Sequence, residues 1–137
     1  MNGQARNRGF TLVELMIVMV IVAVLAMIAV PSYQQSVLKS RRADGRVVLN
    51  DTAQRLERCY TQFGGYNGAG CAIVDGEVID SPEGFYSVTV DIPDATTYTL
   101  TAAPAGAQVD DTRCGDLGLD NTGVRTTTGT DTLDHCW

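Results

Sequence analysis

The hydrophobic pattern of the chain changes once, sharply, near residue 30. Sixteen consecutive apolar residues run from Leu15 to Val30, and the longer stretch from Phe10 is interrupted only by Thr11 and Glu14. At 1.5 Å per residue, the 21 residues from Phe10 to Val30 make about 30 Å of helix, the thickness of the hydrocarbon core of a bilayer. The pattern therefore predicts a helix of membrane-spanning length over residues 10–30.

Beyond Pro31 the apolar positions thin out into a stripe with helical spacing. They recur at intervals of about three, four and seven residues, at Tyr33, Val37, Val48, Leu49, Ala53, Leu56 and Tyr60. Pro31 removes one backbone hydrogen bond and predicts a kink rather than an end, so we expect the helix to continue to residue 60. Its polar middle, residues 40–46, contains the one further helix breaker, Gly45, and is expected to be exposed below a globular domain.

Residues 61–137 have the pattern of a small antiparallel sheet. Residues 61–84 are rich in glycine and turn residues and predict a loop, with a brief strand within 72–79. Alternation of polar and apolar residues predicts one hairpin after this loop, and two further runs that are split by the turn residues 120–123 predict a second hairpin. Their strands are 85–92 with 97–103, and 114–119 with 124–128. A long helix packed on an antiparallel sheet is an α+β architecture.

Two features distinguish the apolar run from an ordinary membrane anchor. Glu14 places a carboxylate inside the run, at a cost of about 2.5–3.5 kcal/mol at the centre of a bilayer. The preceding residues 1–9 carry two arginines and no acid. Cleavage after Gly9 would create an amino group on Phe10, one helical turn before Glu14. The amine of one subunit could then neutralise the carboxylate of its neighbour and set the register of packed helices.

These residues resemble the N-terminus of a known protein family. Gly9-Phe10-Thr11-Leu12-Val13-Glu14, the apolar run and Pro31-Ser32-Tyr33 are similar to the class III leader and first helix of type IV pilins and of the related type II secretion pseudopilins. The resemblance implies cleavage after Gly9 by a prepilin peptidase and N-methylation of Phe10. It also implies packing of the helix in a filament core, with Glu14 and Pro31 as assembly residues.

The apolar run has three alternative interpretations. A secretory signal peptide would need a small-residue cleavage site, which residues 27–31 do not offer cleanly. An uncleaved anchor explains the hydrophobicity but leaves Glu14 unexplained. A buried core helix is the third alternative.

The second half of the chain resembles the same family, in particular PilE-like minor pilins. The similar segments are Glu57-Arg58-Cys59-Tyr60, Tyr98 to Ala102, Cys114 to Leu119 and Asp134-His135-Cys136-Trp137. The resemblance implies the type IV pilin fold, in which one long helix packs on a small antiparallel sheet with a disulfide-bounded C-terminal region. The expected divisions are a leader at 1–9, a transmembrane or filament-core helix at 10–30, an amphipathic second half at 31–60, and a globular β domain at 61–137.

Four cysteines allow three disulfide pairings. The resemblance favours Cys114 with Cys136, which bounds the family's C-terminal segment, and Cys59 with Cys71, which clips the glycine-rich loop to the helix end. A metal site that combines these cysteines with His135 lacks the two-residue spacings of zinc sites, and adjacent His135 and Cys136 would point apart in a strand. The acidic C-terminal half lacks the pattern of a calcium loop. No metal or cofactor is therefore expected.

The charge distribution bears on partners. The formal net charge is −6; six cations face three acids over residues 39–58, whereas two arginines face twelve acids from residue 59 onward. Because phosphate binding needs clustered cations, nucleic acid is an unlikely partner of the acidic domain. The basic segment is either a solvated helix face or a surface that attracts the acidic domain of another subunit. No enzyme is expected, since the only histidine is His135 and no catalytic motif is present.

The sequence thus predicts a structural subunit of a type IV pilus, of the minor-pilin kind, for motility, adhesion or DNA uptake. The positive leader favours an inner-membrane precursor with its domain outside, where cysteines oxidise, and the cell-surface pilus as its destination. Expected partners are other pilin subunits, the prepilin peptidase and the pilus assembly platform. The alternatives are a type II secretion pseudopilin and a DNA- or receptor-binding adhesin pilin.

Overall fold

The computed structural model describes residues 9–137. The helices are α1, Leu12–Phe63, and α2, Leu133–Cys136, and a 3₁₀ turn spans Gly106–Gln108. The strands are β1, Val78–Asp80; β2, Tyr86–Asp94; β3, Thr97–Pro104; β4, Leu117–Asp120; and β5, Arg125–Thr127. The chain divides into two compact units between Ser36 and Val37. The α+β prediction is confirmed.

Helix α1 continues through Pro31, as the sequence predicted, and ends at Phe63 rather than at residue 60. In the unit before Val37 the described residues are all exposed. In the second unit the buried residues of α1 follow a stripe with steps of three and four, which is the face a helix presents to a core. They are Arg42, Asp44, Gly45, Val48, Leu49, Thr52, Leu56 and Cys59.

The five strands form one antiparallel sheet in the order β1-β2-β3-β4-β5, so every strand pairs with its neighbours in sequence. Both predicted hairpins are present, and the brief strand expected within 72–79 is β1, which begins at Val78. Strand β2 continues to Asp94, with a register shift between Asp91 and Asp94. This irregularity accommodates Pro93, which cannot donate to the ladder.

The core lies between the sheet and the buried face of α1. The inward residues of β2 and β3 alternate as predicted: Val88, Val90 and Leu100 are at most 1% exposed. Leu49 and Leu56 of α1 are fully buried among the same core residues. Burial of each such side chain is worth roughly 1.5–3 kcal/mol.

Gly45 does not break the helix; at this position α1 lies close against the ring of Tyr86 in β2. A Cβ atom at this position would lie 2.8 Å from two ring atoms of Tyr86. The Tyr86 side chain is fully buried, so the ring occupies the space that a side chain at residue 45 would need. The sequence interpretation of Gly45 as a weak point of the helix is therefore corrected.

The two shortest helical elements were not predicted. The 3₁₀ turn at Gly106–Gln108 follows β3, and α2 contains His135 and Cys136, which were expected in a strand. Elements of three or four residues are too short to display helical periodicity. The 3₁₀ turn lies between β3 and Cys114, and α2 lies at the end of the disulfide-bounded segment.

Candidate functional site

Phe10, the predicted N-methylation site, and Glu14, a predicted assembly residue, lie near the start of α1. Gly9 and Phe10 precede the helix and are exposed, while Glu14 lies in its first turn. Phe10, Glu14, Leu15 and Val18 line one shallow surface recess, so the first two side chains lie on a common face. The leader residues 1–8 lie outside the described residues.

Thr11 caps this helix, which sequence reasoning missed. The amide of Glu14 donates to Thr11 Oγ1 at 3.2 Å, and the amide of Leu15 donates to the Thr11 carbonyl at 3.2 Å. A threonine followed three residues later by glutamate is the capping-box pattern, which was available in the sequence. The cap fixes where the helix starts and therefore places Glu14 in the first turn, where the helix dipole favours a negative charge.

The apolar segment that follows is exposed along its whole length within the part of the chain that the structure describes. The exposed fraction is 80% for Phe10, 61% for Leu25 and 71% for Ile28. By length and composition, α1 is able to cross a membrane. Such a surface must be buried in lipid or against other apolar helices. Pro31 lies inside this exposed part of the helix.

Two disulfides link the predicted cysteine pairs. Cys59, in the last turns of α1, bonds Cys71, with the Cα atoms 5.4 Å apart. Cys114, just before β4, bonds Cys136 of α2, with the Cα atoms 5.5 Å apart. Cys114 and Cys136 are almost fully buried. The second bond closes the segment that contains β4, β5 and α2.

Arg42 joins α1 to that same segment through a buried ion pair. Its Nε and Nη2 atoms donate to the two carboxylate oxygens of Asp111 at 2.7 and 2.9 Å, and Nη1 donates to the carbonyl of His135 at 3.2 Å. The Arg42 and Asp111 side chains are 3% and 0% exposed. The hydrogen bond to Asp111 raises the pKa of Arg42 above its ordinary value. Gln108 also donates to Asp111, at 2.8 Å.

Asp44 makes a second buried connection from the polar part of α1. Its carboxylate accepts hydrogen bonds from the Ser81 hydroxyl and from the amides of Glu83 and Phe85. It therefore organises the turn that leads into β2. Together with Arg42, Asp44 contradicts the expectation that residues 40–46 are exposed, because both side chains point into the domain and satisfy polar partners there.

The basic run of α1 is largely occupied by contacts within the domain. Arg41 donates to the carbonyl of Ala107 at 3.0 Å and lies 4.7 Å from the ring centroid of Phe85. Arg46 donates to the carbonyl of Trp137. The Arg42 side chain is buried, so it is not available at the surface for a partner.

Glu57 lies near the C-terminal end of α1, beside two buried tyrosines. One of its oxygens accepts from the hydroxyls of Tyr66 at 2.9 Å and Tyr98 at 3.3 Å, and the two rings meet edge to face with centroids 4.8 Å apart. Burial, reinforced by Glu57, raises the pKa of Tyr66 to about 12. The same causes raise the pKa of Tyr98. The cluster anchors the glycine-rich loop to α1.

We expect this cluster to make the domain sensitive to alkali. The unfolded tyrosines ionise near pH 10, whereas Tyr66 and Tyr98 in the folded domain resist ionisation. A raised folded-state pKa gives stability that is complete below pH 10 and is lost as the pH rises from 10 toward 12. The midpoint of urea unfolding of the full chain in nonionic detergent, measured from pH 8 to 11.5, should fall above pH 10. The fall should be shallower in Tyr66→Phe, and a flat midpoint in the unaltered protein would contradict the prediction.

Two acidic residues of the sheet, Asp94 and Asp120, stabilise turns by accepting hydrogen bonds. Asp94 accepts from Thr96 and Thr97, which lowers its pKa to about 2, and Asp120 accepts from Thr122 and Val124, which lowers its pKa as well. Within residues 9–137 no group of three or more His, Cys, Asp or Glu side chains could hold a metal ion. These turns are the hairpin tips that the sequence predicted.

His135 lies near an ion pair on the disulfide-bounded segment. Asp131 Oδ2 lies 2.7 Å from Arg113 Nη2 and 3.7 Å from His135 Nε2. The amide of Thr132 and the charge of Arg113 lower the pKa of Asp131. The histidine is exposed and lies on α2 beside Cys136. The expectation that the protein is not an enzyme stays a prediction.

Family models match both halves of the chain. Residues 31–118 match the model described as type IV minor pilin ComP, DNA uptake sequence receptor, which covers more than half of the sequence. Residues 4–30 match the prokaryotic N-terminal methylation motif. The second match contains Gly9, Phe10 and Glu14, and the first contains the pair of Arg42 with Asp111 and the Glu57 contacts.

Individual proteins that are similar to this chain are also type IV pilins. The type IV major fimbrial protein FimA of Dichelobacter nodosus is 30% identical over 105 residues, which are 76% of this chain and 65% of that protein. The type IV major alpha-pilin of Moraxella bovis is 47% identical over 55 residues, 39% of this chain and 33% of that protein. The matched stretches thus span about one third to just under two thirds of these relatives. The solved structure of a type IV pilin from Shewanella oneidensis superposes with a TM-score of 0.54 at 32% identity, covering 73% of this chain and 97% of that one.

Proposed function

Since the chain belongs to the type IV pilin family, we propose that it is a subunit of a type IV pilus, of the minor-pilin kind. The observation that carries the proposal is the exposed apolar half of α1, which begins with a capped turn containing Glu14. This segment has the length for a membrane before assembly. In a filament, helices of neighbouring subunits would bury it.

The N-terminus is processed before assembly in this proposal. The prepilin peptidase removes residues 1–9 by cutting after Gly9, and the new amino terminus at Phe10 is methylated. The match to the N-terminal methylation motif supports these steps. Phe10 precedes the capped helix and is 80% exposed, so the cut would leave α1 intact. Before assembly the domain lies outside the inner membrane; the assembly platform then extracts the subunit into the surface filament.

Glu14 and Pro31 have different parts in assembly. The Glu14 carboxylate, in the first turn, pairs with the Phe10 amine of a neighbouring subunit and so sets the register of the helices. Pro31 lacks an amide hydrogen, which leaves one helical hydrogen bond unmade. The helix is therefore weakest close to the point where the described chain divides into its two compact units.

Intact mass spectrometry of the protein from sheared surface filaments and from membranes tests this function. We expect a filament-borne chain that starts at methylated Phe10 and gains four hydrogens on reduction of its two disulfides. The same processed chain confined to the membrane and periplasm would instead favour the pseudopilin alternative. A chain that still starts at Met1 would contradict filament assembly.

A substitution at Gly9 checks the cleavage position. Gly9→Val should leave an uncut precursor in the membrane, because the bulky residue occupies the proposed cleavage site. Gly65→Ala, which alters a glycine in the globular domain, is the control and should be processed normally. Mature protein from Gly9→Val that begins at Phe10 would show that the assigned junction does not depend on this glycine.

A second candidate function is the reception of DNA during uptake. It is favoured by the match of residues 31–118 to the family of the DNA uptake sequence receptor ComP, which weighs against the sequence-based expectation that nucleic acid is an unlikely partner. Fluorescence anisotropy of labelled duplex and single-stranded DNA, titrated with the full chain in nonionic detergent, tests it. Absence of binding at low salt would reject this function and leave the pilus-subunit proposal unchanged.

A further inference from the structure

The cations of the second unit differ in whether their donors are free. Five arginines are engaged with acceptors in the domain: Arg41, Arg42, Arg46, Arg55 and Arg113. Arg125 is different, because within residues 9–137 its side chain has no hydrogen bond and no carboxylate partner. Its one interaction is with an aromatic ring: the Cζ atom lies 5.0 Å from the centroid of Trp137.

Trp137 is itself held in place. Its Nε1 donates to the carbonyl of Thr126 at 2.9 Å, and the residue before it, Cys136, is bonded to Cys114. The indole is partly buried against the core. The ring is therefore fixed to β5 by a hydrogen bond and to the core by packing, while the disulfide holds the preceding residue, so the ring offers a rigid surface to the arginine.

This arrangement preorganises the Arg125 guanidinium. Arginine stacks on aromatic faces through its plane while its N–H donors remain available at its edge, where they match the geometry of phosphate. Strand β5 is the edge strand of the sheet, and Arg125 is exposed there. A charged donor fork is thus held at the rim of the domain without an internal anion to neutralise it.

We propose that Arg125 is a DNA-phosphate contact at the β5 edge and that Trp137 is the residue that positions it. The proposal rests on the DNA-reception function above and names a contact that lies outside residues 31–118, the stretch matched by the receptor family model. Twelve acids face two arginines from residue 59 onward. Diffuse attraction therefore contributes little, and a few positioned cations carry the affinity.

The test compares Arg125→Ala with Arg58→Ala, both in the full chain in nonionic detergent. Arg58 is an exposed arginine of α1 whose side chain also lacks a described partner, but no aromatic ring orients it. We expect Arg125→Ala to weaken binding of duplex DNA by about tenfold, as expected for a lost charge-assisted hydrogen bond. It should also reduce the slope of log affinity against log salt by about 0.9. Arg58→Ala should change affinity less than twofold.

Two further readouts separate positioning from charge alone. Trp137 is the only tryptophan, so DNA should change the intrinsic fluorescence of the unaltered protein and of Arg58→Ala but not that of Arg125→Ala. Arg125→Lys keeps the charge and loses the planar fork, so it should restore the salt slope but only part of the affinity. Trp137→Phe, which keeps an aromatic face, should bind more tightly than Trp137→Ala.

The failures of the two proposals are distinguishable. If the unaltered protein binds DNA and Arg125→Ala binds equally well, with no change in Trp137 fluorescence, this contact is wrong and DNA reception stands. If the unaltered protein does not bind DNA at all, DNA reception fails and the contact fails with it. Circular dichroism of the Arg125 and Arg58 variants should match that of the unaltered protein, since both side chains are exposed.

Discussion

Arg42→Ala is expected to destabilise the globular domain by about 3–5 kcal/mol, the usual cost of removing one partner of a buried ion pair. The substitution leaves the Asp111 carboxylate, which is fully buried, without its cation. It also removes the hydrogen bond that Arg42 donates to the carbonyl of His135. Because domains of this size are stable by only about 5–15 kcal/mol, a large fraction of the stability would be lost. Urea unfolding of the full chain in nonionic detergent, with disulfides intact, measures it.

Arg55→Ala is the matched control. Arg55 pairs with Asp51 on the same helix at 2.8 Å, but both side chains are more than half exposed. An exposed pair of this kind contributes about 0.3–0.5 kcal/mol. A second variant, Arg42→Met combined with Asp111→Leu, removes both charges and should recover most of the stability that Arg42→Ala loses. A loss below 1 kcal/mol in Arg42→Ala would contradict the importance of the ion pair.

The architecture was predictable where the pattern is local. The apolar run and the helical spacing after it predicted α1, and alternation predicted the hairpin of β2 and β3, because a half-buried strand exposes every second residue. The buried positions Val88, Val90 and Leu100 follow directly from that alternation. Helix α1 and strands β2 and β3 are long enough for periodicity to distinguish them from loops. The hairpin of β4 and β5 was predicted from the turn residues 120–123 between two short runs, and its strands do not alternate in burial.

The buried face of α1 was less predictable, because it is partly polar. Sequence reasoning assigned burial by hydrophobicity and therefore predicted that residues 40–46, which include Arg42 and Asp44, are exposed. Their partners lie far away in the chain: Asp111 is 69 residues from Arg42, and Ser81 is 37 residues from Asp44. A single sequence does not indicate such pairs. Gly45 was misjudged for a related reason, since its role depends on where the ring of Tyr86 lies.

At the candidate sites, the sequence contains signals that were not used to predict the structure. Thr11 and Glu14 form a recognisable capping pattern, and it explains the position of the first turn. The cation–π contact between Arg125 and Trp137 joins β5 to the end of α2, and its residues are twelve positions apart with no periodic relation. Contacts of this kind follow from the fold of the disulfide-bounded segment, which periodicity does not describe.

Glu14→Ala is expected to be inserted and cleaved normally but to enter filaments poorly. Removing a carboxylate from the apolar run makes membrane insertion easier by up to about 3 kcal/mol. The helix start should not change, since the cap is formed by the backbone amide at residue 14 and Thr11 Oγ1. In the filament, however, the Phe10 amine of a neighbour would be buried without its anion, at a cost of about 3 kcal/mol or more. That corresponds to a more than hundredfold loss in the association constant.

The measurement is the ratio of protein in sheared filaments to protein in membranes, by quantitative immunoblotting, with the chain co-expressed beside its natural filament partners. Glu14→Asp is the control that keeps the charge on a shorter side chain, and it should be incorporated better than Glu14→Ala or Glu14→Gln. Glutamine separates the two explanations, since it can still accept a hydrogen bond from the amine but does not neutralise it. Incorporation of Glu14→Gln at the normal level would point to hydrogen bonding alone, whereas normal incorporation of Glu14→Ala would eliminate any role of this residue in assembly.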